Sequence, residues 1–362
     1  SGAYAALVPE LARYRGYVAQ GGWSTLPEGP VLHPGDTTAQ APLLRRRLAA
    51  EQLLAAGDTT HLSRRYAGRV VTAVAHFQAR HGLAVDSVVG PATWRALNVT
   101  AEHRVRQIEA SLERLRWLPP RLGERHIEVN IPAFQLDAYT DGKRVLSMPV
   151  VVGAEYQGRA TPIFADTMRY VVINPYWNVP ESIAASELWP KQRRDPSYFR
   201  RNGYEVVHAS WGTYVRQLPG PDNALGHIKF IFPNDFNVYL HDTPAQALFG
   251  DRVRAFSHGC VRVERPLALA QYVLGPQGWD SARVRDSIAT ARRERVDLKA
   301  GLPVYIIYLT ATPALDGTMT FRNDLYDYDA KLLDQLAPDS GRDDAAIAWL
   351  ARLAETPSTA AH

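Results

Sequence analysis

The feature that most constrains the fold is a change of hydrophobic periodicity at Pro119-Pro120. Before it, apolar residues recur at helical spacing. After it, the segment from His126 to Ile131 alternates apolar and polar side chains with the period of two that is typical of a half-buried strand. Proline interrupts a helix because it lacks an amide N–H and clashes with the preceding turn, so the two patterns meet at a natural boundary. The sequence therefore predicts an α-helical region followed by a mostly β domain.

The first hundred residues are predicted to be helical. Tyr66, Val70 and Val74 are spaced four residues apart on one helix face, and this stripe is predicted to be core. Phe77 continues the same face three residues later. Helices are predicted over Ala3 to Gln20, Ala41 to Leu54, Leu62 to Arg80, a short segment opened by Gly90-Pro91, and Glu102 to Trp117.

The remainder of the chain is predicted to be mostly β, because short segments rich in Val, Ile, Tyr and Phe are separated by turn signals such as Asp141-Gly142. Strands are predicted at His126 to Ile131, Phe134 to Tyr139, Val145 to Val152, Tyr170 to Ile173, Tyr204 to Val207, Ile228 to Phe232, Val238 to His241 and Val304 to Leu309. Two further helices are predicted from Leu267 to Leu274 and from Ser281 to Arg293.

The stretch between Asn174 and Lys229 is too irregular for a sheet and too aromatic for a disordered linker. It is predicted to form a lid or subdomain over a cleft. Its Trp177, Trp189 and Trp211 are equally consistent with a small satellite core, and the two roles are compatible.

The single cysteine, Cys260, lies in the string Ser257-His258-Gly259-Cys260-Val261-Arg262, and His241 precedes it by nineteen residues. An isolated cysteine is most often an inert, buried hydrophobe. Here its polar and small neighbours are poor core material, and a thiol beside histidine and arginine is predicted to have a lowered pKa and to act as a nucleophile. No C-x-x-C or H-E-x-x-H spacing is present that would hold zinc, so no metal is predicted.

Composition excludes several classes of protein. The chain of 362 residues is long enough for two or three domains, and its hydrophobic content of 46% is that of a soluble globular protein. No run approaches the roughly 18 to 20 apolar residues of a membrane span. A net charge of +4 is compatible with an acidic polymer partner, but no basic patch interleaved with aromatics indicates nucleic acid. The start at Ser1-Gly2 suggests a removed targeting segment or a cloning scar.

Two strings in the helical region resemble the small three-helix peptidoglycan-binding module of cell-wall enzymes: 73–78 (AVAHFQ) and 88–93 (VVGPAT). Ser87 departs from the glycine usual in that family, so a less left-handed turn is expected there. The alternative is a purely structural helical domain. Glycan binding by this copy stays open.

Five strings after residue 124 resemble the L,D-transpeptidases, bacterial cell-wall enzymes that form 3–3 crosslinks in peptidoglycan. They occur in the family's order, and the likeness is greatest to its large periplasmic subgroup. They are Gly158 to Pro162, Asn174 to Ile183, Leu218 to Gly226, Tyr239 to Pro244 and Ser257 to Arg262.

This resemblance implies an exported, periplasmic enzyme that acts on stem peptides and glycan, with release of D-Ala from a tetrapeptide donor. It also implies inhibition by carbapenems, a possible peptidoglycan synthase partner and no cofactor.

The resemblance also assigns roles within the site. Cys260 is the expected nucleophile, His241 the general base and acid, and the backbone N–H groups of Gly259 and Cys260 the oxyanion donors. His258 is expected either to transfer a proton or to hold the loop. Because His241 and Asp242 would point to opposite faces of a strand, a backbone carbonyl or Ser257 is at least as well placed to orient the imidazole. The predicted substrate-binding residues are Ser257, Arg262, Tyr239, Trp177 and Asn223.

The predicted fold class is α+β multidomain, with a mostly-β catalytic domain, a lid subdomain and a preceding helical module. The predicted boundaries are a helical scaffold 1–40, the module 41–99, a linker helix 100–124, the catalytic domain 125–312 with its lid at about 175–228, and a C-terminal extension 313–362. Three alternatives to 3–3 crosslinking stay open: an L,D-carboxypeptidase, a lipoprotein-anchoring enzyme and a non-catalytic wall-binding protein.

Overall fold

The computed structural model describes residues 2–27, 29–59, 63–155, 158–314 and 317–336. It divides into two compact units. One comprises residues 1–121 together with the chain from 308 onward, and the other is Leu122–Ile307. The part of the predicted C-terminal extension after residue 336 lies outside the described residues.

The first unit is built on helices, as predicted. The helix Ala101–Arg116, named α5, begins where the Thr100 hydroxyl accepts a hydrogen bond from the His103 N–H at 3.2 Å, a standard N-cap. No helix in the described part of the chain is long and apolar enough to cross a membrane. The helices of this unit before residue 121 are α1 (Gly2–Ala19), α2 (Ala41–Ala50), α3 (Arg69–Arg80), α4 (Pro91–Leu97) and α5 (Ala101–Arg116).

The apolar stripe predicted on α3 is confirmed, since Val70, Val74 and Phe77 are all buried. They pack in one core with Tyr66, and other buried members of that core come from α2 and α4. The predicted start of this helix at Leu62 is wrong. Tyr66 reaches the core from the segment that precedes the helix, where its amide pairs with the carbonyl of Asp36 instead of a helical partner.

The turn at Ser87 is left-handed, with φ +60°, so the expected loss of that conformation is wrong. The Ser87 amide donates to Oε1 of Gln78 at 2.9 Å, and the amide of the same Gln78 side chain donates to Asp86. These bonds offset the strain of a non-glycine residue in this region.

The second unit contains a nine-stranded sheet in the order β10-β3-β11-β9-β8-β4-β12-β1-β2, and β2 also pairs with β3. The pairing of β2 with β3 closes the sheet on itself, so most strands have two neighbours. The strands of this unit are β1 (Arg125–Asn130), β2 (Gln135–Thr140), β3 (Lys143–Gly153), β4 (Phe164–Ile173), β5 (Trp177–Asn178), β6 (Tyr204–Ala209), β7 (Gly212–Gln217), β8 (Ile228–Ile231), β9 (Leu240–His241), β10 (Ala255–Ser257), β11 (Val261–Val263) and β12 (Glu294–Ile307). Its helices are α6 (Glu181–Ile183), α7 (Trp189–Arg194), α8 (Tyr198–Arg201), α9 (Pro266–Leu274) and α10 (Ser281–Ala289).

The change from helical to strand periodicity is therefore confirmed, but some boundaries differ. Strand β12 begins at Glu294, ten residues before the predicted start, and pairs with β4 on one side and β1 on the other. Its first half is polar and mostly exposed, with a register shift between Asp297 and Leu302, so it lacks the apolar pattern by which strands are recognised.

The segment predicted as a lid, from 175 to 228, forms a subdomain with its own three-stranded sheet, ordered β5-β7-β6, and it is named the lid below. Its buried core includes Leu188, Phe199 and Val215, and Trp177 and Trp189 pack against that core. Trp211 does not, because it is 75% exposed and stacks on Tyr214. The satellite core therefore exists, and one of its three proposed tryptophans lies outside it.

The C-terminal segment completes the helical unit. Strand β13 (Ala311–Pro313) pairs with β14 (Met319–Phe321), and helix α11 (Tyr328–Leu336) follows. A buried ion pair between Arg114 of α5 and Asp329 of α11 joins the two helices. The same carboxylate accepts a hydrogen bond from Thr310 at 2.6 Å. These contacts explain why the chain after 308 belongs to the first unit.

Candidate active site

Cys260 directly precedes β11, in the tight turn that follows β10. Gly259 has φ +115°, a conformation that side chains disfavour, which accounts for the glycine before the cysteine. The thiol is half-buried, and Sγ lies 3.7 Å from the carbonyl oxygen of Asn237.

Two buried hydroxyl groups hold this turn. The Ser257 hydroxyl donates to the Cys260 carbonyl at 2.5 Å and accepts the Gly259 N–H at 3.1 Å. The Thr161 hydroxyl donates to the Gly259 carbonyl at 2.8 Å and accepts the Gly153 N–H at the same distance. Thr161 is fully buried and thereby ties the turn to β3, a role that the sequence did not reveal.

The two amides predicted to form an oxyanion hole differ in their contacts. The Gly259 N–H is already donated to Ser257. The Cys260 N–H meets no acceptor among the residues that the structure describes. It is the donor available to a negatively charged oxygen.

His241 ends β9, which pairs in parallel with β11 so that His241 stands opposite Arg262. The imidazole is buried, and its Nδ1 lies 2.5 Å from the backbone carbonyl oxygen of Asp242. With a hydrogen on Nδ1, the lone pair of Nε2 is left to accept a proton. Of the orienting groups left open above, the backbone carbonyl is the one present.

The side-chain carboxylate of Asp242 instead bonds to main-chain amides of the loops next to β8 and β9. It accepts hydrogen bonds from the backbone amides of His227 at 2.8 Å and Thr243 at 2.7 Å. A Cβ at Gly226 would lie 2.3 Å from this carboxyl group, and Gly226 has φ +58°. Gly226, which ends the sequence Asn223 to Gly226, thus leaves room for the Asp242 carboxylate that holds the loop before β8.

Protonation of the site differs from expectation. Burial, reinforced by the charge of Arg262, lowers the pKa of His241 to about 3. Burial also raises the pKa of the Cys260 thiol, and hydrogen bonds from Tyr239 and the charges of Lys229 and Arg262 offset this only in part. The predicted lowering of the thiol pKa is therefore wrong, because desolvation exceeds the attraction of nearby cations. The resting pair is a neutral thiol and a neutral imidazole.

Cationic and aromatic groups surround the thiol. Tyr239 is half-buried, and its ring centroid lies 5.7 Å from that of His241. Lys229 lies on β8, directly opposite His241. Its Nζ is 3.7 Å from the centroid of the Tyr239 ring. No sequence pattern distinguishes Lys229, since one lysine in an alternating strand is ordinarily solvent-facing. Nε of Arg262 is buried and finds no hydrogen-bond partner within the part of the chain that the structure describes.

His258 faces the lid. Its Nε2 lies 3.1 Å from Oε1 of Glu187, and Arg159 lies 3.9 Å from the same oxygen. Of the two roles left open for His258, this contact supports holding the loop.

Two predicted substrate-binding residues occupy other places. Asn223 is buried and donates to the carbonyls of Pro175 and Leu218 at 3.1 and 2.9 Å, so it holds the base of the lid. Trp177 packs against the lid core. Ser257, as described, braces the cysteine turn. Among the described residues, no three His, Cys, Asp or Glu side chains are grouped in a way that would hold a metal ion.

Comparison with known proteins gives two family matches. Residues 124–306 match the family model "L,D-transpeptidase catalytic domain" (YkuD), and residues 39–97 match "Putative peptidoglycan binding domain". A curated Haemophilus influenzae protein named "Putative L,D-transpeptidase" is 33% identical over 243 residues, which are 62% of this chain and 48% of that protein. The chain therefore spans about half the length of this relative.

Similar solved structures are more distant. An L,D-transpeptidase from Xylanimonas cellulosilytica is 16% identical, with a TM-score of 0.23, over 78% of this chain and 99% of that one. An L,D-transpeptidase solved in complex with imipenem is 12% identical, with a TM-score of 0.26, over 51% of this chain and 59% of that one.

Proposed function

The chain belongs to the L,D-transpeptidase family, with a peptidoglycan-binding domain ahead of the catalytic domain, and from this premise we propose that it forms 3–3 crosslinks in peptidoglycan through Cys260. The observation that carries the proposal is the fixed tautomer of His241. His241 lies on β9, beside the strand that follows Cys260, and its Nδ1 is held by the backbone carbonyl of Asp242. Its Nε2 is therefore left to act as a base.

In the first half-reaction, the Cys260 sulfur attacks the carbonyl carbon at the L-centre of diaminopimelate in a tetrapeptide stem. A C–S bond forms while the thiol proton passes to Nε2 of His241. Because both groups are neutral at rest, this proton moves together with the attack, without a preformed thiolate. The negative charge that develops on the carbonyl oxygen is stabilised by the Cys260 N–H.

Collapse of the tetrahedral intermediate breaks the C–N bond to D-Ala, whose nitrogen takes the proton from His241. The product is a thioester on Cys260. In the second half-reaction, the side-chain amine of another stem attacks the thioester and gives a proton to His241. The C–S bond then breaks, and the proton returns to the sulfur, so that the free enzyme is regenerated.

Arg262 and Tyr239 support this chemistry in different ways. Arg262 has no carboxylate partner among the described residues, and its planar guanidinium suits a carboxylate of the stem. Tyr239 contacts the thiol through hydrogen bonding, which favours the charged form of sulfur as it develops.

The test is mass spectrometry of the products formed from a disaccharide-tetrapeptide by the unaltered protein and by Cys260→Ala. A crosslinked dimer that lacks one D-Ala, made only by the unaltered protein, supports transpeptidation. A tripeptide monomer would identify an L,D-carboxypeptidase, and transfer to a lysine of a lipoprotein an anchoring enzyme. Turnover by folded Cys260→Ala would contradict the proposal.

The same proposal places the enzyme in the periplasm, with peptidoglycan as its partner. By family resemblance, a carbapenem should acylate Cys260. Intact-mass analysis would show an adduct on the unaltered protein and none on Cys260→Ala. Copurification would test the proposed association with a peptidoglycan synthase.

A further inference from the structure

An open cavity of about 390 Å³ lies between strands β5 and β7 of the lid and strands β4 and β8 of the main sheet. Its size is within the range of small-ligand sites. Three of its side chains are cationic and three are tyrosines: Arg216, Lys229, Arg293, Tyr170, Tyr176 and Tyr214.

The cavity shares a sheet face with the candidate active site. Lys229 is paired across β8 and β9 with His241, and across β8 and β4 with Val172 of the cavity wall. Directly paired residues point to the same face of a sheet. Lys229 therefore lies between the cavity and the reacting pair, with its ammonium group over the Tyr239 ring.

The charge of the cavity is not balanced within the protein. Arg216 is paired with Glu205, but Lys229 and Arg293 have no carboxylate partner among the described residues. Burial and the charge of Arg293 lower the pKa of Lys229. An anion bound between the two cations would relieve this repulsion.

We propose that this cavity binds the carboxylate at the far end of the diaminopimelate side chain of the donor stem, which makes it the site that selects diaminopimelate over lysine. This inference rests on the proposed function. The tyrosine rings and hydroxyl groups offer contacts to the ammonium group beside that carboxylate.

The distance favours this carboxylate. Lys229 is in register with His241 and, through it, with Arg262, which is two residues beyond Cys260. Two strand spacings of about 4.8 Å and two residues of about 3.3 Å therefore separate the Cα atoms of Cys260 and Lys229 by roughly 12 Å, and the lysine side chain spans part of that distance. The attacked carbon lies about 3 Å from sulfur. Six extended bonds to the far carboxylate add roughly 7 Å at about 1.5 Å per bond, shortened by their angles. The carboxylate of the departing D-Ala is only three bonds from the attacked carbon, which is too near.

The test measures binding, without turnover, to Cys260→Ala protein by calorimetry. Three tetrapeptides serve as probes: one with diaminopimelate, one with lysine, which lacks only the far carboxylate, and one with diaminopimelate and a C-terminal amide. We expect the first and third to bind about tenfold more tightly than the second, as one charge-assisted contact predicts.

Adding Arg293→Gln should remove most of that preference by weakening the diaminopimelate peptides and leaving the lysine peptide unchanged. Arg285→Gln, on the exposed face of α10, is the matched control and should keep it. Lys229→Met should act like Arg293→Gln.

Equal affinity for the diaminopimelate and lysine peptides would overturn the inference. A loss of affinity confined to the peptide with the C-terminal amide would also overturn it, because the cavity would then bind the carboxylate of D-Ala. These outcomes are independent of the proposed function, because binding with the expected preference but no crosslinked product from the unaltered protein would contradict transpeptidation alone.

Discussion

Nδ1 of His241 lies 2.5 Å from the backbone carbonyl oxygen of Asp242, whereas the carboxylate of Asp242 bonds two backbone amides. The residue beside the histidine thus orients it through the main chain. A triad drawn from side chains alone would assign Asp242 a role that its contacts do not support.

Asp242→Asn tests this assignment. The amide NH₂ group would face a backbone N–H that now donates to a carboxylate oxygen, which should cost about 1 to 3 kcal/mol of stability. The kcat of the folded variant should stay within about threefold of the unaltered protein, since the Nδ1 acceptor is retained. Thermal unfolding and turnover at a temperature where the variant is folded would check both. A hundredfold fall in kcat would contradict the main-chain assignment.

The pKa of His241 predicts a pH dependence of stability. In the unfolded chain the imidazole titrates near its ordinary pKa of 6.5, and in the folded protein at about 3. Between these values the unfolded state binds the proton and the folded state does not, so stability is fully present above pH 6.5 and falls as the pH is lowered. The free energy of unfolding of His241→Asn should fall less steeply over this interval. Parallel curves would refute the buried neutral histidine.

The raised pKa of Cys260 predicts slow alkylation at neutral pH. The rate with iodoacetamide should keep rising beyond pH 9, the ordinary value for the thiol, because the thiolate is the reactive form. Denatured protein at the same pH provides the reference for an exposed thiol. Half-maximal reactivity of the folded protein below pH 8 would show that the neighbouring cations outweigh burial.

Thr161→Val tests the hydroxyl link beneath the cysteine turn. Loss of the hydroxyl removes its hydrogen bonds with the Gly153 amide and the Gly259 carbonyl, which should cost about 1 to 3 kcal/mol and lower kcat more than it changes KM. Thr161→Ser retains the hydroxyl and is the control. Equal kcat values for the two variants would limit Thr161 to stability.

Glu187→Gln tests the contact between lid and cysteine turn. Both side chains of this contact are a third or more exposed, so its loss should change stability by less than about 1 kcal/mol. Hydrogen exchange in the lid should nevertheless quicken around residues 184–194 if the contact holds the lid closed. Glu181→Gln, an exposed carboxylate at the start of α6, is the matched control. If hydrogen exchange in the lid were identical in the two variants, the contact between Glu187 and His258 would not hold the lid.

Sequence and structure agree best where the signal is local. The alternation at β1 and the stripe on α3 follow from which side of each element meets a core, and both are confirmed. The first half of β12 could not be predicted, because its pairing partner β4 is distant in the chain and its exposed residues carry no apolar pattern.

The sequence by itself determined the reacting groups of the candidate site, because the string around Cys260 and the separate His241 carry their chemistry in residue identity and order. Only the tertiary structure decided their protonation and their neighbours. The pKa values of Cys260 and His241 depend on desolvation, which exists only once the sheet has closed around them. Lys229 and Thr161 acquire their contacts from strands far apart in sequence, and no local pattern distinguishes them from an ordinary surface lysine and a loop threonine.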